Sequence, residues 1–223
     1  MKITTQRYNP KIGYEKNKLY LLDKTSQVIF QEQQEDGSKD LVKITAQLSD
    51  NEECVFAKEY RPPHIKAQGC KNVDLMALLT NEKQQCLKSY LIDVKKDVGG
   101  EDVIFHLIDQ WKDSMLHMRT LTLYYEDYAQ EQCIGVITRS MDYKRIHETI
   151  QAKEEFIQEC NKGAGTLSQL KIAPKLLKTQ QEIETLKRFA EGQFVSLGGS
   201  QKYEVFVSEK RGDEYWYELK YRI

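Results

Sequence analysis

Near the end of the chain, two acidic side chains and a lysine have the spacing that metal-dependent hydrolysis requires. Glu218-Leu219-Lys220 would place a carboxylate and an ammonium group on one face of a strand, and Glu204 lies in the strand-like run before it. Metal-dependent nucleases hold Mg²⁺ with carboxylates on such a hairpin, beside a catalytic lysine. Glutamate and lysine also alternate on the solvent-exposed face of ordinary strands, and the sequence favours this second interpretation.

The histidines and cysteines do not form a recognisable catalytic or metal-binding pattern. Cys54, His64 and Cys70 lack the Cys-x-x-Cys pair that is typical of structural zinc sites. His117 and His147 have no serine or cysteine nucleophile placed with them. We therefore predict no catalytic residues, no metal site and no cofactor, and a protein that is not an enzyme.

The composition is that of an ordinary globular protein. The chain has 223 residues, of which 30% are charged and 40% hydrophobic, and its formal net charge is -1. Proteins that coat nucleic acid are usually basic, so the charge argues against that class. Five widely spaced cysteines, an odd number, indicate a reducing intracellular compartment. No apolar run approaches the roughly 18 residues that span a bilayer, so no membrane contact is predicted.

Five strands and one helix are predicted in the first half of the chain. The clearest strand covers residues 42–48, where Val42, Ile44, Ala46 and Leu48 alternate with polar residues. This period of two is typical of a half-buried strand. The other predicted elements are a bent strand or hairpin at residues 18–34, strands at residues 54–60, 90–94 and 103–108, and a helix at residues 73–87.

Residues 88–108 fit two different periods. Asp93 and Lys95 lie on one face of the predicted strand and apolar residues on the other, but the apolar residues of the whole segment also fit helical spacing. Gly99-Gly100 in the middle and the short β-branched runs on either side favour two strands.

The second half of the chain has a different pattern. Asp142 is a suitable N-cap for an amphipathic helix. The predicted elements are a strand at residues 133–138, helices at residues 142–160 and 174–190, and a terminal hairpin of residues 203–207 against 215–221. The predicted fold is thus α+β: an OB-like five-stranded barrel at residues 17–113, followed by an α+β extension at residues 114–223 that packs on it.

The order of three strands, a helix and two strands resembles that of OB-folds, in which the helix lies between the third and fourth strands. Two segments carry the resemblance: VKITAQLSDNEECVFAKEY (residues 42–60) and YLIDVKKDVGGEDVIFHLIDQW (residues 90–111). They are similar to the OB-folds of replication protein A and of telomere end-binding proteins. The layout is also similar to that of the shelterin subunit that brings telomerase to chromosome ends.

This resemblance implies a non-enzymatic adaptor subunit of a nucleoprotein complex of the telomere or telomerase holoenzyme type. Such a protein would act in the nucleus rather than the cytoplasm and would bind a larger protein partner through its OB-fold. Single-stranded nucleic acid would be contacted indirectly. The alternatives are a DNA-binding OB-fold protein that holds single strands directly, and a structural subunit of an unrelated assembly such as a cytoskeletal complex.

OB-folds bind their ligands on the second and third strands and the neighbouring loops. In this chain that surface would contain an acidic turn and two aromatic residues that we expect to be exposed. The candidate partner-binding residues are Asp50, Glu52, Glu53, Phe56 and Tyr60. Residues 17–113 contain 13 lysine and arginine residues and 17 acidic residues, a net charge of -4. Phosphate contacts supply much of the affinity for nucleic acid, so this charge favours a protein partner.

Overall fold

The computed structural model describes residues 6–7, 18–22, 27–34, 37–60, 71–163 and 166–221. Within these residues the chain is a mixture of strands and helices, which confirms the α+β class. The strands are β1 (Gln6–Arg7), β2 (Tyr20–Leu22), β3 (Gln27–Gln33), β4 (Lys39–Ala46), β5 (Glu52–Lys58), β6 (Leu75–Asn81), β7 (Cys86–Val98), β8 (Ala129–Met141), β9 (Gln193–Ser196), β10 (Gly199–Lys202), β11 (Glu204–Val207), β12 (Glu209–Arg211) and β13 (Glu214–Tyr221). The helices are α1 (Glu101–Thr122), α2 (Tyr143–Gly163) and α3 (Thr166–Ala190).

The chain folds into two compact units. The first comprises residues 1–96, 109–140 and 204–223, and the second comprises residues 97–108 and 141–203. Helix α1 contributes to both units, so the domain boundary predicted between residues 113 and 114 falls inside this helix.

Two open sheets build the first unit. One has the strand order β1-β2-β5-β6-β7-β8-β11, and the other has the order β12-β13-β4-β3. Side chains from both sheets form one hydrophobic core, which includes Phe30, Val42 and Ile44 from one and Leu75 and Ile92 from the other. Neither sheet closes on itself within the described residues, so the predicted five-stranded barrel is not confirmed.

The centre of the larger sheet combines an antiparallel meander with a crossover. Strands β5, β6 and β7 pair antiparallel in chain order. Helix α1 then leads to β8. The Ala129 amide donates to the Gln85 carbonyl where both strands begin, and the Asp142 amide donates to the Val98 carbonyl where both end. Strands β7 and β8 are therefore parallel, and a parallel pair needs a long connection such as α1.

The helix predicted at residues 73–87 is wrong, because these residues form β6 and the turn that follows it. Every residue of β6 is buried. A strand that is covered on both faces is apolar throughout and loses the alternation that identifies a half-buried strand. Its leucines therefore matched helical spacing by chance.

The strand predicted at residues 103–108 is also wrong, because this segment lies in α1. Glu101 and Asp102 occupy the first turn, where acidic side chains favour a helix. Ile104, Leu107 and Trp111 are buried at helical spacing. The ambiguity of residues 88–108 is resolved as a strand followed by a helix.

The predicted terminal hairpin does not form. Strand β11 pairs parallel with β8 in the larger sheet, whereas β13 pairs with β12 and β4 in the smaller one. The predicted strands at residues 27–34, 42–48, 54–60 and 133–138 are confirmed as β3, β4, β5 and β8, with bounds that differ by a few residues.

The second unit is built on two helices and a hairpin. Helices α2 and α3 confirm the predictions at residues 142–160 and 174–190, although α3 begins earlier than Pro174. Lys153 of α2 lies 2.6 Å from Glu182 of α3 and 2.9 Å from Glu101. The Tyr203 ring stacks on that of Phe189, and its hydroxyl donates to the Phe189 carbonyl, which fixes the chain after the β9–β10 hairpin against the end of α3.

Candidate functional site

Register between β6 and β7 brings two aspartates and a lysine to one face of the larger sheet. Leu75 pairs with Ile92, so Asp74, which precedes β6, falls opposite Asp93. Residues that are directly opposite in an antiparallel pair share a face, and residues two apart on a strand do so as well. Asp74, Asp93 and Lys95 therefore converge.

The distances confirm this convergence. The Lys95 ammonium donates to Asp93 Oδ1 at 2.5 Å and lies 4.0 Å from Asp74 Oδ2. The Val94 amide donates to Asp74 Oδ2 at 2.8 Å, which holds the Asp74 carboxylate at the end of the ladder. The Asp93 side chain is fully buried, whereas those of Asp74 and Lys95 are 13% and 23% exposed. Solvent can therefore reach the side chains of Asp74 and Lys95 but not that of Asp93.

One buried oxygen of this cluster lacks an N–H or hydroxyl donor. Asp93 Oδ2 is fully buried and accepts no hydrogen bond from an N–H or hydroxyl donor among the described residues, but the Asp74 carboxyl hydrogen-bonds to the Asp93 side chain, which helps to raise the pKa of Asp74. A buried charged oxygen without a partner costs several times the value of an ordinary hydrogen bond. Native proteins keep such a group mainly where a ligand, a water molecule or an ion completes it. Asp93 and Asp74 therefore form a buried carboxyl pair that a shared proton can bridge.

The electrostatics of the cluster favour the protonated forms of Asp74 and Lys95. Burial, followed by the neighbouring charge of Asp93, raises the pKa of the Asp74 carboxyl well above its ordinary value. Burial alone would lower the pKa of Lys95, but the charges of Asp93 and Asp74 outweigh it and raise that pKa. Lys95 is thus held as an ammonium ion beside the Asp93 carboxylate, while the raised pKa of Asp74 means that this carboxyl keeps its proton more readily than an ordinary aspartate.

A second carboxylate and lysine lie beside this cluster. Lys58, the last residue of β5, has its ammonium 3.2 Å from Glu32 Oε2. Burial, and then the charge of Asp74, raises the pKa of Glu32. The next residue, Glu59, has a left-handed φ of 47° and donates its amide to the Asp74 carbonyl at 3.2 Å. A left-handed backbone conformation costs free energy in a residue other than glycine, and such residues are concentrated at functional sites.

These groups match the requirements of a magnesium ion better than those of zinc. Mg²⁺ is a hard cation that keeps several waters and is usually held by one or two carboxylates together with substrate phosphate. Among the described residues no three His, Cys, Asp or Glu side chains form a ready metal set, whereas two carboxylates and a neighbouring lysine are present. Asp74 and Asp93 thus supply two carboxyl groups, and the Lys95 ammonium is the cation that the structure places beside them.

Replacing Asp74 by asparagine is expected to stabilise the protein at neutral pH in the presence of EDTA. Below 3.8, the ordinary aspartate pKa, the folded and unfolded chains both carry the protonated acid. As pH rises from 3.8 towards the raised pKa of the folded protein, the unfolded chain ionises while the folded chain keeps its proton, and stability is lost. Urea unfolding of both proteins should show an advantage of Asp74→Asn that grows as pH rises above 3.8. An advantage that is flat or shrinks with pH would contradict this electrostatic assignment.

The residues predicted as a partner-binding surface are only partly exposed. Asp50 and Glu53 are exposed at the turn between β4 and β5. Glu52 accepts hydrogen bonds from the Ser49 amide and the Asn81 side chain. The expectation that both aromatic rings are exposed is wrong: Phe56 is 2% exposed and Tyr60 is 7% exposed. Phe56 faces the core between the sheets, because alternate residues of β5 point into it.

The acid-x-lysine pair considered at the end of the chain lies in a different cleft. Glu204, Glu218 and Lys220 line a cleft of about 510 Å³. Glu218 is 43% exposed, lies 3.6 Å from the Lys43 ammonium and accepts a hydrogen bond from Thr45. The structure thus brings these residues together, but as a solvated charge network. This agrees with the interpretation favoured from the sequence.

The cysteines and histidines form no metal-ligand group in the part of the chain that the structure describes. Cys54 is fully buried, and burial raises the pKa of its thiol, so the thiolate that metals bind is disfavoured. His64 and Cys70 lie outside the described residues.

None of the helices in the described residues carries an apolar stretch long enough to cross a membrane. Comparisons with protein-family models, with curated proteins and with solved structures gave no match to this chain.

Proposed function

We propose that this protein is a Mg²⁺-dependent nuclease that hydrolyses phosphodiester bonds of nucleic acid at Asp74, Asp93 and Lys95. The observation that carries the proposal is the convergence of the Asp74 and Lys95 side chains on the fully buried Asp93 carboxylate. The sequence instead predicts a protein without catalysis or a metal site, and the cleavage experiment below distinguishes the two.

Each residue has a distinct role in this proposal. Asp74 and Asp93 would hold the cation, which would supply a Lewis acid for the scissile phosphate. Lys95 stabilises the negative charge that grows on the phosphate oxygens as a water oxygen bonds to phosphorus. The bond between phosphorus and the leaving sugar oxygen then breaks. The attacking water releases its proton to solvent, and the leaving oxygen takes one from solvent.

The adaptor role predicted from the sequence depended on a closed barrel and an exposed aromatic surface. The described sheets are open and both aromatic rings are buried. The OB-like barrel, the adaptor role and direct single-strand binding therefore stay predictions without a structural observation in their favour. A nuclease remains compatible with the predicted nucleoprotein assembly and nuclear location.

Hydrolysis by the purified chain is expected to depend on a divalent cation. Single-stranded and double-stranded DNA and RNA oligonucleotides with a 5′ fluorophore are incubated with the protein in Mg²⁺ or in EDTA. Cleavage should occur in Mg²⁺, stop in EDTA and return when excess Mg²⁺ is added, because two adjacent carboxylates alone repel the phosphate. An Asp93→Asn preparation, purified in parallel, controls for contaminating nucleases. The proposal fails if no substrate is cleaved, or if the two preparations cleave equally.

A further inference from the structure

A cleft of about 740 Å³ lies between helices α2 and α3, beside the first residue of α1. All of its lining residues belong to the second unit. Its volume is within the range of roughly 300–1,000 Å³ that is typical of sites for small ligands. Among the described residues, its walls carry four basic side chains, three acidic ones and the ring of Phe156.

The acidic side chains at the base of the cleft already have basic partners. The Lys153 ammonium lies 2.6 Å from Glu182 Oε2 and 2.9 Å from Glu101 Oε1. Glu182 Oε1 also lies 3.7 Å from the ammonium of Lys178. The charges of Glu101 and Glu182 are therefore directed to lysines, and neither carboxylate is free to neutralise the remaining cations of the cleft.

Two of the basic side chains have no carboxylate partner. Among the described residues, neither Arg145 nor Lys175 forms an ion pair. Glu148, the third acidic residue of the cleft, lies 3.7 Å from Lys144, which is outside it. A Cβ atom on Gly100 would lie 3.7 Å from Arg145 Nη2, so the guanidinium is beside the start of α1. The cleft therefore has a surplus of positive charge.

An aromatic ring lies next to this surplus charge. Phe156 is only half-buried, and its ring centre is 4.7 Å from the Lys175 ammonium. Aromatic side chains bind nucleobases by stacking, whatever the base, because every base has a π-face. A phosphate monoester carries a charge of about -1.5 to -2 at neutral pH, which two cations can balance. Arginine and lysine are the usual partners of phosphate in proteins.

We propose that this cleft binds a nucleoside monophosphate, with the base stacked on Phe156 and the phosphate paired with Arg145 and Lys175. The base takes the position over the Phe156 ring that the Lys175 ammonium has in the free protein, and Lys175 then turns to the phosphate. This inference does not rest on the proposed nuclease function, because the Asp74 cluster contributes none of these residues.

Isothermal titration calorimetry of the full chain in EDTA tests the proposal, with AMP, UMP, adenosine and inorganic phosphate as probes. EDTA excludes any contribution from a bound metal. AMP and UMP should both bind with a Kd below about 1 mM. Adenosine and phosphate should each bind about tenfold more weakly than AMP, because each makes only one of the two kinds of contact.

Two variants separate the two kinds of contact. Arg145→Met should weaken AMP binding about tenfold and leave adenosine binding unchanged, because it removes a phosphate partner. Phe156→Ala should weaken the binding of both AMP and adenosine about tenfold, because it removes the stacking surface. Arg145 is exposed, so its variant tests the proposal even if Phe156→Ala is unstable.

Arg188 and Leu177 of α3 supply the matched controls, because both are exposed and lie outside the cleft. Arg188→Met and Leu177→Ala should retain the wild-type affinity for AMP. Thermal unfolding shows whether each variant is folded.

The proposal is overturned if AMP does not bind at about 1 mM, or if inorganic phosphate binds as tightly as AMP. It is also overturned if the folded Arg145 variant binds AMP as the wild type does, or if the control variants lose as much affinity. The cleavage assay with Asp93→Asn does not involve the cleft, so the nuclease proposal and this one can fail independently.

Discussion

Lys95→Met is expected to lower the rate of phosphodiester hydrolysis by about 10²–10³-fold while metal binding is retained. The Lys95 ammonium lies 2.5 Å from Asp93 and 4.0 Å from Asp74, where a phosphate held by their cation would face it. A preorganised charge that meets developing negative charge in a poorly solvated site stabilises the transition state more than the bound substrate. The loss should therefore appear mainly in kcat, and methionine preserves the aliphatic volume.

The neighbouring residue Lys96 is the matched control for this variant. It is on the same strand but points to the opposite face and is exposed. Lys96→Met should retain the wild-type rate. Steady-state kinetics on a fluorescent oligonucleotide and calorimetry with Mn²⁺ measure the two quantities. The role of Lys95 is refuted if its variant keeps full activity, or if the Lys96 variant loses as much.

Arg139→Ala is expected to destabilise the fold by about 3–5 kcal/mol, the largest stability effect we foresee. Arg139 Nε lies 2.8 Å from Asp40 Oδ1, and its second nitrogen contacts Asp40 Oδ2 at 3.1 Å. Both side chains are buried, and the guanidinium also stacks over Tyr215. This pair joins β8 of the larger sheet to β4 of the smaller one. Removal of the arginine would leave the Asp40 charge buried with Gln34 as a remaining donor.

Urea unfolding, followed by circular dichroism, measures this loss. The exposed pair of Arg211 and Glu209 is the control, because Arg211→Ala should cost less than about 1 kcal/mol. The double variant Arg139→Met with Asp40→Leu should recover most of the stability, since an apolar pair carries no desolvation cost. Equal small losses at Arg139 and Arg211 would show that the buried pair does not hold the sheets together.

Elements with one covered face could be predicted from the sequence. Strand β4 alternates because one of its faces meets the core, and α2 has an N-cap residue and an apolar stripe. Strand β6 and α1 could not be predicted by the same reasoning. Every residue of β6 is buried, so its period is lost. For α1, the apolar residues fit the strand period and the helix period equally well. The helix connects the parallel strands β7 and β8, a pair that needs a long connection.

The candidate site was missed for a related reason. Asp93 and Lys95 were placed correctly on one face of a strand, but Asp74 was assigned to a helix. A helix at this position cannot pair with the strand of Asp93. The position of Asp74 opposite Asp93 could therefore not be predicted. An acidic residue directly before one apolar strand, followed by acid-x-lysine in the next, is the signal that could have found the site. Phe56 and Tyr60 were selected because of the expected barrel, and their burial follows from the two packed sheets.

The pairing of β13 with β4 governs the order in which this protein can be assembled on the ribosome. Glu214 lies in register with Lys39 and Tyr221 with Ala46, so the two strands are separated by some 170 residues of chain. Until the last of these residues is synthesised, β4 has β3 on one side and no permanent neighbour on the other. An apolar strand with an open edge is exposed to wrong pairing during that interval. The cluster of Asp74, Asp93 and Lys95, which β6 and β7 position, has its strands complete long before β13 can pair with β4.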